Sequence, residues 1–181
     1  GSGSGTFGAA STFTAGPEPF CVETGDLDRD GRPDVVAANL LSGDVSVLRN
    51  TRPARIDAGF VGGRRLASAY TYAARLADFN GDAKADVVWA DNLTGVVSLR
   101  LGTGNGDFAP PTTAATAATP YDLTVGDCNG DGAPDVATAN GLGTNVCVLF
   151  GTGTGALSPP VTYPVGLGGY GAVPRILKPI L

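Results

Sequence analysis

The stretch Asp26-Leu-Asp-Arg-Asp-Gly-Arg-Pro-Asp34 decides how this sequence is organised, because it occurs three times. It returns as Asp78-Phe-Asn-Gly-Asp-Ala-Lys-Ala-Asp86 and as Asp127-Cys-Asn-Gly-Asp-Gly-Ala-Pro-Asp135. The first residues of successive copies lie 52 and 49 positions apart (26 to 78, then 78 to 127). Repeats of this period are typical of solenoids, propellers and arrays.

The residues around each acidic stretch keep the same order in all three copies. An aromatic residue stands six positions before each first Asp: Phe20, Tyr72 and Tyr121. Two apolar runs separated by a short turn follow each last Asp; the first runs are 35–39, 87–91 and 136–140, and the second are 45–48, 96–99 and 146–150. A Gly-rich stretch then leads to Phe60, Phe108 or Leu157 and a Pro/Thr-rich segment. These four segments predict strands A to D, with the acidic stretch as the A–B loop.

Four-stranded units that repeat at this interval are typical of β-propeller blades. We therefore predict an all-β fold of antiparallel blades and essentially no helix. In the repeat frame, residues 1–19 are the last strand of a preceding blade, residues 20–69, 70–119 and 120–169 are three whole blades, and residues 170–181 begin a fourth blade or form a tail. Three blades do not close a ring, and residue 1 is not Met, so we expect other chains, or the rest of a longer chain, to complete the propeller.

Composition excludes several classes of function. Hydrophobic residues make up 43% of the 181 residues, which is enough for a packed core, and no apolar run is long enough to span a membrane. The net charge of −5 argues against a nucleic-acid partner. The sequence has no histidine, which removes every His-based catalytic triad, general base and zinc ligand.

The acidic loops have the spacing of a cation site. Oxygen-bearing side chains at positions 1, 3, 5 and 9 can wrap a loop around one hard cation, and calcium accepts six to eight oxygens in a flexible geometry. An EF-hand is excluded, because position 12 is Ala37, Trp89 or Thr138 rather than Glu. We predict three Ca²⁺ sites, each completed by a backbone carbonyl at position 7 (Arg32, Lys84 or Ala133). The predicted side-chain ligands are Asp26, Asp28, Asp30 and Asp34; Asp78, Asn80, Asp82 and Asp86; and Asp127, Asn129, Asp131 and Asp135.

With their flanks, the three loops resemble FG-GAP repeats, also called VCBS repeats, which are the blades of integrin-alpha-type β-propellers. Phe7-Gly8 and Ala15-Gly16-Pro17 match the motifs that give the family its name, in the first unit only. The resemblance implies an extracellular propeller with structural rather than catalytic calcium, used in adhesion, in glycan binding or as a scaffold. Ala83 departs from the Gly that is usual in these loops.

Other motifs have simpler interpretations. The Gly-x-Gly-x-Gly stretches recur in the repeat frame and are predicted to be C–D turns rather than phosphate-binding loops. Trp89 lies in strand B and is expected in the core. Five basic residues are expected in the longest inter-strand loop, which is solvated or meets an acidic polysaccharide: Arg49, Arg52, Arg55, Arg64 and Arg65.

Two modifications are left open by the sequence. Asn92-Leu-Thr94 is a glycosylation sequon that matters if the chain is secreted, and segment 110–120 is an edge strand with Pro or a carrier of O-linked sugar. Cys21, Cys128 and Cys147 are odd in number and fit no metal spacing. One pair plus one leftover is possible in a secreted protein, and the sequence does not choose among the pairings.

Two classes of function remain. The first is a non-enzymatic, calcium-stabilised propeller segment with a structural or adhesive role in an extracellular, cell-surface or filament assembly. The open blade edges favour it, because unpaired strands bind partners. The alternative is a glycan-binding lectin, or the non-catalytic propeller part of a polysaccharide-degrading enzyme. Binding on a glycan array that weakens when Arg64 and Arg65 are replaced would favour the alternative.

Overall fold

All regular structure in the described part of the chain is β-sheet. The computed structural model describes residue 5 and residues 10–51, 60–67, 70–116, 119–141 and 144–165. The strands are β1 Pro19–Gly25, β2 Asp34–Asn39, β3 Asp44–Asn50, β4 Phe60–Ala67, β5 Thr71–Ala77, β6 Asp86–Asp91, β7 Val96–Arg100, β8 Thr112–Ala115, β9 Pro120–Gly126, β10 Asp135–Asn140, β11 Asn145–Leu149 and β12 Val161–Pro164. No helix that could cross a membrane occurs in these ranges.

The twelve strands form three antiparallel four-stranded sheets in simple sequential order: β1–β4, β5–β8 and β9–β12. We call these sheets blades 1, 2 and 3. The predicted fold class of four-stranded antiparallel blades is confirmed. The predicted order of strands A to D is also confirmed in each blade, with the acidic loop between A and B.

The apolar runs after each acidic loop form strand B because both of their faces are covered. In β6 and β10 every residue is buried, and in β2 only Val35 is partly exposed. Strand B pairs with A on one side and C on the other, for example Trp89 with Ala74 and with Ser98. A run that is buried on both faces does not alternate, which is why it reads as continuously apolar in the sequence.

The core lies between the blades. One cluster of buried side chains joins blade 1 to blade 2 and includes Val36 and Val47 from blade 1 with Val87 and Trp89 from blade 2. A second cluster joins blade 2 to blade 3. Trp89 is 1% exposed, which confirms its predicted place in the core. Successive residues of β6 thus face different neighbours, with Val88 in the second cluster.

The three aromatic residues that mark the repeat frame stack against one another. The ring centroids of Phe20 and Tyr72 are 5.3 Å apart in an edge arrangement, and those of Tyr72 and Tyr121 are 4.9 Å apart. These residues begin strand A of each blade, so the A strands lie side by side, with the acidic loops at their opposite ends. Burial of Tyr72 raises its pKa, and Tyr121 adds to the effect.

Three basic residues of blade 1 lie in strands rather than in the predicted loop. Arg49 belongs to β3, and Arg64 and Arg65 belong to β4, where they pair with Val47 and Ser46. The prediction that they lie in a loop is therefore wrong, because strand D begins at Phe60 and its register with β3 includes both arginines. Arg52 and Arg55 lie outside the described residues.

The ends of the chain remain predictions. Residues 1–4 and 6–9 and residues 166–181 lie outside the described residues, and with them part of the predicted opening segment 1–19 and the whole predicted fourth blade. Residues 10–15 form no assigned strand, but Phe13 packs edge-on against Phe60 with ring centroids 5.1 Å apart.

Candidate metal-binding loops

The three acidic stretches connect β1 to β2, β5 to β6 and β9 to β10. We call them loop 1 (26–34), loop 2 (78–86) and loop 3 (127–135). In each loop the ninth position is the first residue of strand B and is fully buried: Asp34, Asp86 and Asp135 are each 0% exposed. A carboxylate at this depth needs partners, because burial of an unpaired charge is costly.

Backbone N–H groups supply those partners in the same way in every loop. One oxygen of the ninth residue accepts from the N–H of the second position: Asp34 from Leu27 at 2.9 Å, Asp86 from Phe79 at 2.7 Å and Asp135 from Cys128 at 2.8 Å. The other oxygen accepts from an N–H at or just after the end of strand C. The donor is Asn50 for Asp34, Gly102 for Asp86 and Gly151 for Asp135. The ninth Asp therefore joins the A–B loop to the C–D connection of its own blade. Burial nevertheless raises the pKa of Asp86.

The first Asp of each loop closes the turn that follows it. Asp26 accepts from the N–H groups of Asp30 and Gly31, and Asp127 accepts from those of Gly130 and Gly132. These N–H donors, Gly132 first, lower the pKa of Asp127. The same loop geometry therefore forms three times, in accordance with the repeat.

Loop 1 gathers its carboxylates most closely. Oxygen atoms of Asp26, Asp28 and Asp34 lie within 4.8 Å of one another, the one such acidic group of three in the described ranges. Oδ1 of Asp28 is buried without a hydrogen-bond partner. Burial, together with the charges of Asp34 and Asp30, raises the pKa of Asp28. An orphaned carboxylate oxygen beside two others is a donor set that a hard cation would satisfy.

Loops 2 and 3 direct their side chains elsewhere. Their third position is Asn rather than Asp, and Asn129 donates from Nδ2 to Asp131 at 2.8 Å. In loop 2, Asp82 accepts from Nζ of Lys84 at 2.7 Å, and this bond lowers the pKa of Asp82. In loop 1 the fifth residue, Asp30, likewise pairs with Arg32. The structure thus brings positions 1, 3 and 9 together in loop 1, whereas the fifth positions face basic or amide neighbours.

Two residues of each loop adopt the left-handed conformation, in which glycine avoids the steric cost. Loop 3 has glycine at both places, with φ of +80° at Gly130 and +85° at Gly132. Loop 1 has Arg29 at the fourth position (φ +62°), and loop 2 has Ala83 at the sixth (φ +60°). The departure at Ala83 seen in the sequence therefore leaves the turn intact but in a conformation that disfavours alanine.

Contacts between neighbouring loops were not found by reasoning from the sequence. The N–H of Gly106 donates to the carbonyl of Leu27 at 3.1 Å, and that of Gly155 donates to the carbonyl of Phe79 at 3.0 Å. The Gly-rich C–D turn of each following blade thus binds the loop before it. Arg29 of loop 1 also donates to backbone carbonyls of loop 2. The regular spacing of the glycines in the sequence indicates that these turns recur, but it does not indicate which loop each turn contacts.

The family of the repeat follows from its sequence. A family model described as an FG-GAP-like repeat matches residues 78–138, from the first residue of loop 2 into strand β10. Residues 78–138 are an FG-GAP-like repeat. The matched segment includes loops 2 and 3, strands β6–β9 and the first residues of β10, but not strand β5 of blade 2. No curated protein sequence matches the chain.

Solved structures agree on the fold of the chain. An Agrocybe aegerita lectin, described as specifically recognising non-reducing terminal N-acetylglucosamine, is 20% identical with a TM-score of 0.51, and the match covers 78% of this chain and 37% of the lectin chain. BBS1N, in a complex with ARL6DN soaked with lead, is 11% identical with a TM-score of 0.53, and the match covers 83% of this chain and 44% of the other. At these identities the likeness concerns the fold alone. The chain spans less than half of the length of either structure.

Proposed function

We propose that this chain is a calcium-stabilised segment of an extracellular β-propeller, with a structural or adhesive and non-enzymatic role in a cell-surface or filament assembly. The observation that carries the proposal is the group of Asp26, Asp28 and Asp34, in which a buried carboxylate oxygen has no partner. FG-GAP repeats are typically calcium-binding, and the loop recurs three times with only oxygen ligands available.

Calcium suits these loops better than magnesium. The loops offer oxygens at unequal depths, from the buried Asp34 to the exposed Asp30, and calcium tolerates such irregular shells whereas magnesium demands a near-ideal octahedron. If each site binds at about 10⁻⁴ M in millimolar calcium, binding stabilises the folded state by roughly 1.4 kcal/mol per site. Sites of that strength fill outside cells, which supports the proposed extracellular location.

The structural role follows from where the loops lie. Each loop is tied to its own blade through the ninth Asp, and loops 1 and 2 are also tied to the following blade through a Gly-rich turn, for example Gly155 on Phe79. A cation bound there would stiffen the blades together. The partners we propose are further blades, from other chains or from the rest of a longer chain. With no histidine, and with ten of the 17 acidic residues in the loops, the chain offers few groups for catalysis.

Thermal unfolding tests the proposal. The protein is unfolded in millimolar calcium, in EDTA and in millimolar magnesium at the same ionic strength. We expect calcium to raise the midpoint by several degrees, as about 4 kcal/mol over three sites implies, and magnesium to give a smaller rise. Equal midpoints in calcium and EDTA would contradict the proposal.

A cleft beside blade 1 supports glycan binding as a second candidate function. The cleft has a volume of about 470 Å³ and lies between residues 12–15 and strands β3 and β4. Phe13 and Phe60 supply aromatic rings, and Arg65 contacts the buried Asp44 at 3.2 Å. Aromatic rings and planar polar groups are what a sugar's apolar face and hydroxyls require. The related cleft of Thr112–Ala114 with Ala156 and Leu157 has about 80 Å³ and no arginine.

The lectin neighbour recognises terminal N-acetylglucosamine, so that sugar is the first probe for this cleft. A glycan array that includes it should give binding in the sub-millimolar range. Arg65→Ala and Phe13→Ala should each weaken binding, whereas Arg49→Ala removes the same charge outside the cleft and should leave it unchanged. Binding that is lost equally in all three variants, or no binding at all, would exclude this site.

A further inference from the structure

Arg29 reaches from loop 1 into loop 2. Its Nη2 donates to the carbonyl oxygen of Ala83 at 2.8 Å and to that of Asp82 at 3.2 Å. These carbonyls belong to the two peptide groups on either side of Ala83, the residue that has φ +60°. Hydrogen bonds from a guanidinium are charge-assisted and stronger than those between neutral groups. Arg29 therefore holds the backbone of loop 2 at its sharpest turn.

Loop 2 is also the loop that needs such a contact. Its sixth position is Ala83, whereas the same position is Gly31 in loop 1 and Gly132 in loop 3. The left-handed conformation is strained for a residue with a Cβ atom, and glycine avoids this strain. An alternative local conformation is thus closer in free energy in loop 2 than in loop 3, which has glycine at both left-handed positions.

The arginine occurs only beside the loop that has alanine at its sixth position. Loops 2 and 3 each follow another loop in the array, and the fourth position of the earlier loop lies beside the later one. For loop 2 this residue is Arg29, and for loop 3 it is Gly81, which has no side chain. The alanine therefore occurs in the loop that receives a guanidinium, and the loop without one keeps its glycine.

The absence of a side chain at Gly104 leaves space for the side chain of Arg29. A Cβ atom on Gly104, in the C–D turn of blade 2, would lie 2.9 Å from Cδ of Lys84 and 3.4 Å from Cδ of Arg29. The aliphatic stems of both basic side chains thus lie against this glycine. Lys84 in turn bonds to Asp82, so the two basic residues hold loop 2 from two sides.

We propose that Arg29 is a positioning residue for the second metal loop: it fixes the Ala83 turn from the neighbouring blade and so substitutes for the missing glycine. The turn leads directly to Lys84, whose carbonyl is the predicted calcium ligand at position 7. Arg29 thereby pre-organises loop 2 for the cation without touching it. The part of this inference that concerns calcium rests on the proposed function, and the part that concerns the turn does not.

A double-mutant cycle of Arg29→Gly and Ala83→Gly tests the inference. Glycine fits φ +62° without strain, as Gly81 and Gly130 do at the same position, so the first variant removes the guanidinium without adding strain to loop 1. The first readout is amide hydrogen exchange in calcium-free protein, followed in loop 2 with loop 3 as the internal control. Arg29→Gly should speed exchange in loop 2 about five- to tenfold, as the loss of one charge-assisted bond implies. In the Ala83→Gly background the effect should fall below about twofold.

The second readout is the calcium concentration at which each loop becomes protected. Arg29→Gly should raise the midpoint of loop 2 by a similar factor and leave that of loop 3 unchanged, and Arg29→Lys should restore it only in part, because an ammonium lacks the planar fork. Equal effects of Arg29→Gly in both backgrounds, or equal effects on loops 2 and 3, would overturn the inference. A wild-type protein that binds no calcium would contradict the proposed function, whereas the calcium-free cycle decides the role of Arg29 at the turn by itself.

Discussion

Loops 1 and 3 follow the same backbone path but distribute their charge differently. In both loops a buried ninth Asp accepts two backbone N–H bonds, and the first Asp closes the turn. Loop 1 adds Asp28, whose Oδ1 is buried and unpartnered, whereas loop 3 has Asn129, whose amide donates to Asp131. The backbone frame of the loop, meaning its turn and the N–H bonds to the ninth Asp, therefore does not depend on how many carboxylates the loop carries. Backbone N–H groups hold the frame in both loops, and the extra carboxylate of loop 1 adds an oxygen that a cation would satisfy.

The largest expected effect tests the shared frame. Asp34→Ala and Asp135→Ala each leave two backbone N–H groups without an acceptor, so each should cost about 3 kcal/mol of unfolding free energy or more in calcium-free protein. Urea unfolding in EDTA measures both losses. The exposed Asp107, which pairs with Arg64, is the control, and Asp107→Ala should cost less than about 1 kcal/mol. Losses at Asp34 and Asp135 that differ widely would break the comparison.

A smaller effect tests the left-handed positions. Gly132 has nothing within 4 Å of a built Cβ atom, so Gly132→Ala adds backbone strain without a steric clash. We expect a loss of about 1–2 kcal/mol. Ala83→Gly makes the opposite change and should stabilise by only about 0.5 kcal/mol, since glycine also gains freedom in the unfolded chain. Chemical unfolding of both variants measures the sign of each change in unfolding free energy. A Gly132→Ala variant as stable as the wild type would contradict the strain argument.

The smallest effect concerns the extra carboxylate. In EDTA, Asp28→Asn should stabilise the protein by up to about 1 kcal/mol, because it removes a partly buried carboxylate that lies beside the charges of Asp34 and Asp30. Asn129→Asp should destabilise by a similar amount by giving loop 3 the composition of loop 1. Both signs should reverse in saturating calcium. Urea midpoints in EDTA and in calcium measure these changes in stability. If calcium does not change the effect of either variant, loop 1 is excluded as a cation site.

The effect of pH on Asp28 has a definite sign. Its pKa in the folded state is raised above the ordinary value of 3.8, mainly by burial and then by Asp34, so the folded state binds this proton more tightly than the unfolded state does. The stabilisation from this group is present below 3.8 and is lost as the pH rises through the raised pKa. In EDTA the advantage of Asp28→Asn should therefore shrink as the pH is lowered towards 3.8. An advantage that grows on acidification would contradict the assignment.

The sequence predicts what is local to a blade and misses what joins blades. The aromatic marker, the acidic loop and the two apolar runs place strands A, B and C, because turn residues and unbroken apolar runs act over a few positions. The contact of Arg29 with Ala83 is separated by 54 positions, and no local pattern signals it. The placement of Arg64 and Arg65 failed for the same reason: a strand is set by its partner, here Val47 and Ser46 of β3.

Native mass spectrometry of the intact chain in low-millimolar calcium tests the central claim most directly. The account predicts a mass shift of three calcium ions per chain, which EDTA removes and magnesium does not reproduce at the same concentration. The Asp28→Asn variant should need a higher calcium concentration than the wild-type chain to hold all three ions. A chain whose mass is the same in calcium and in EDTA would contradict the account.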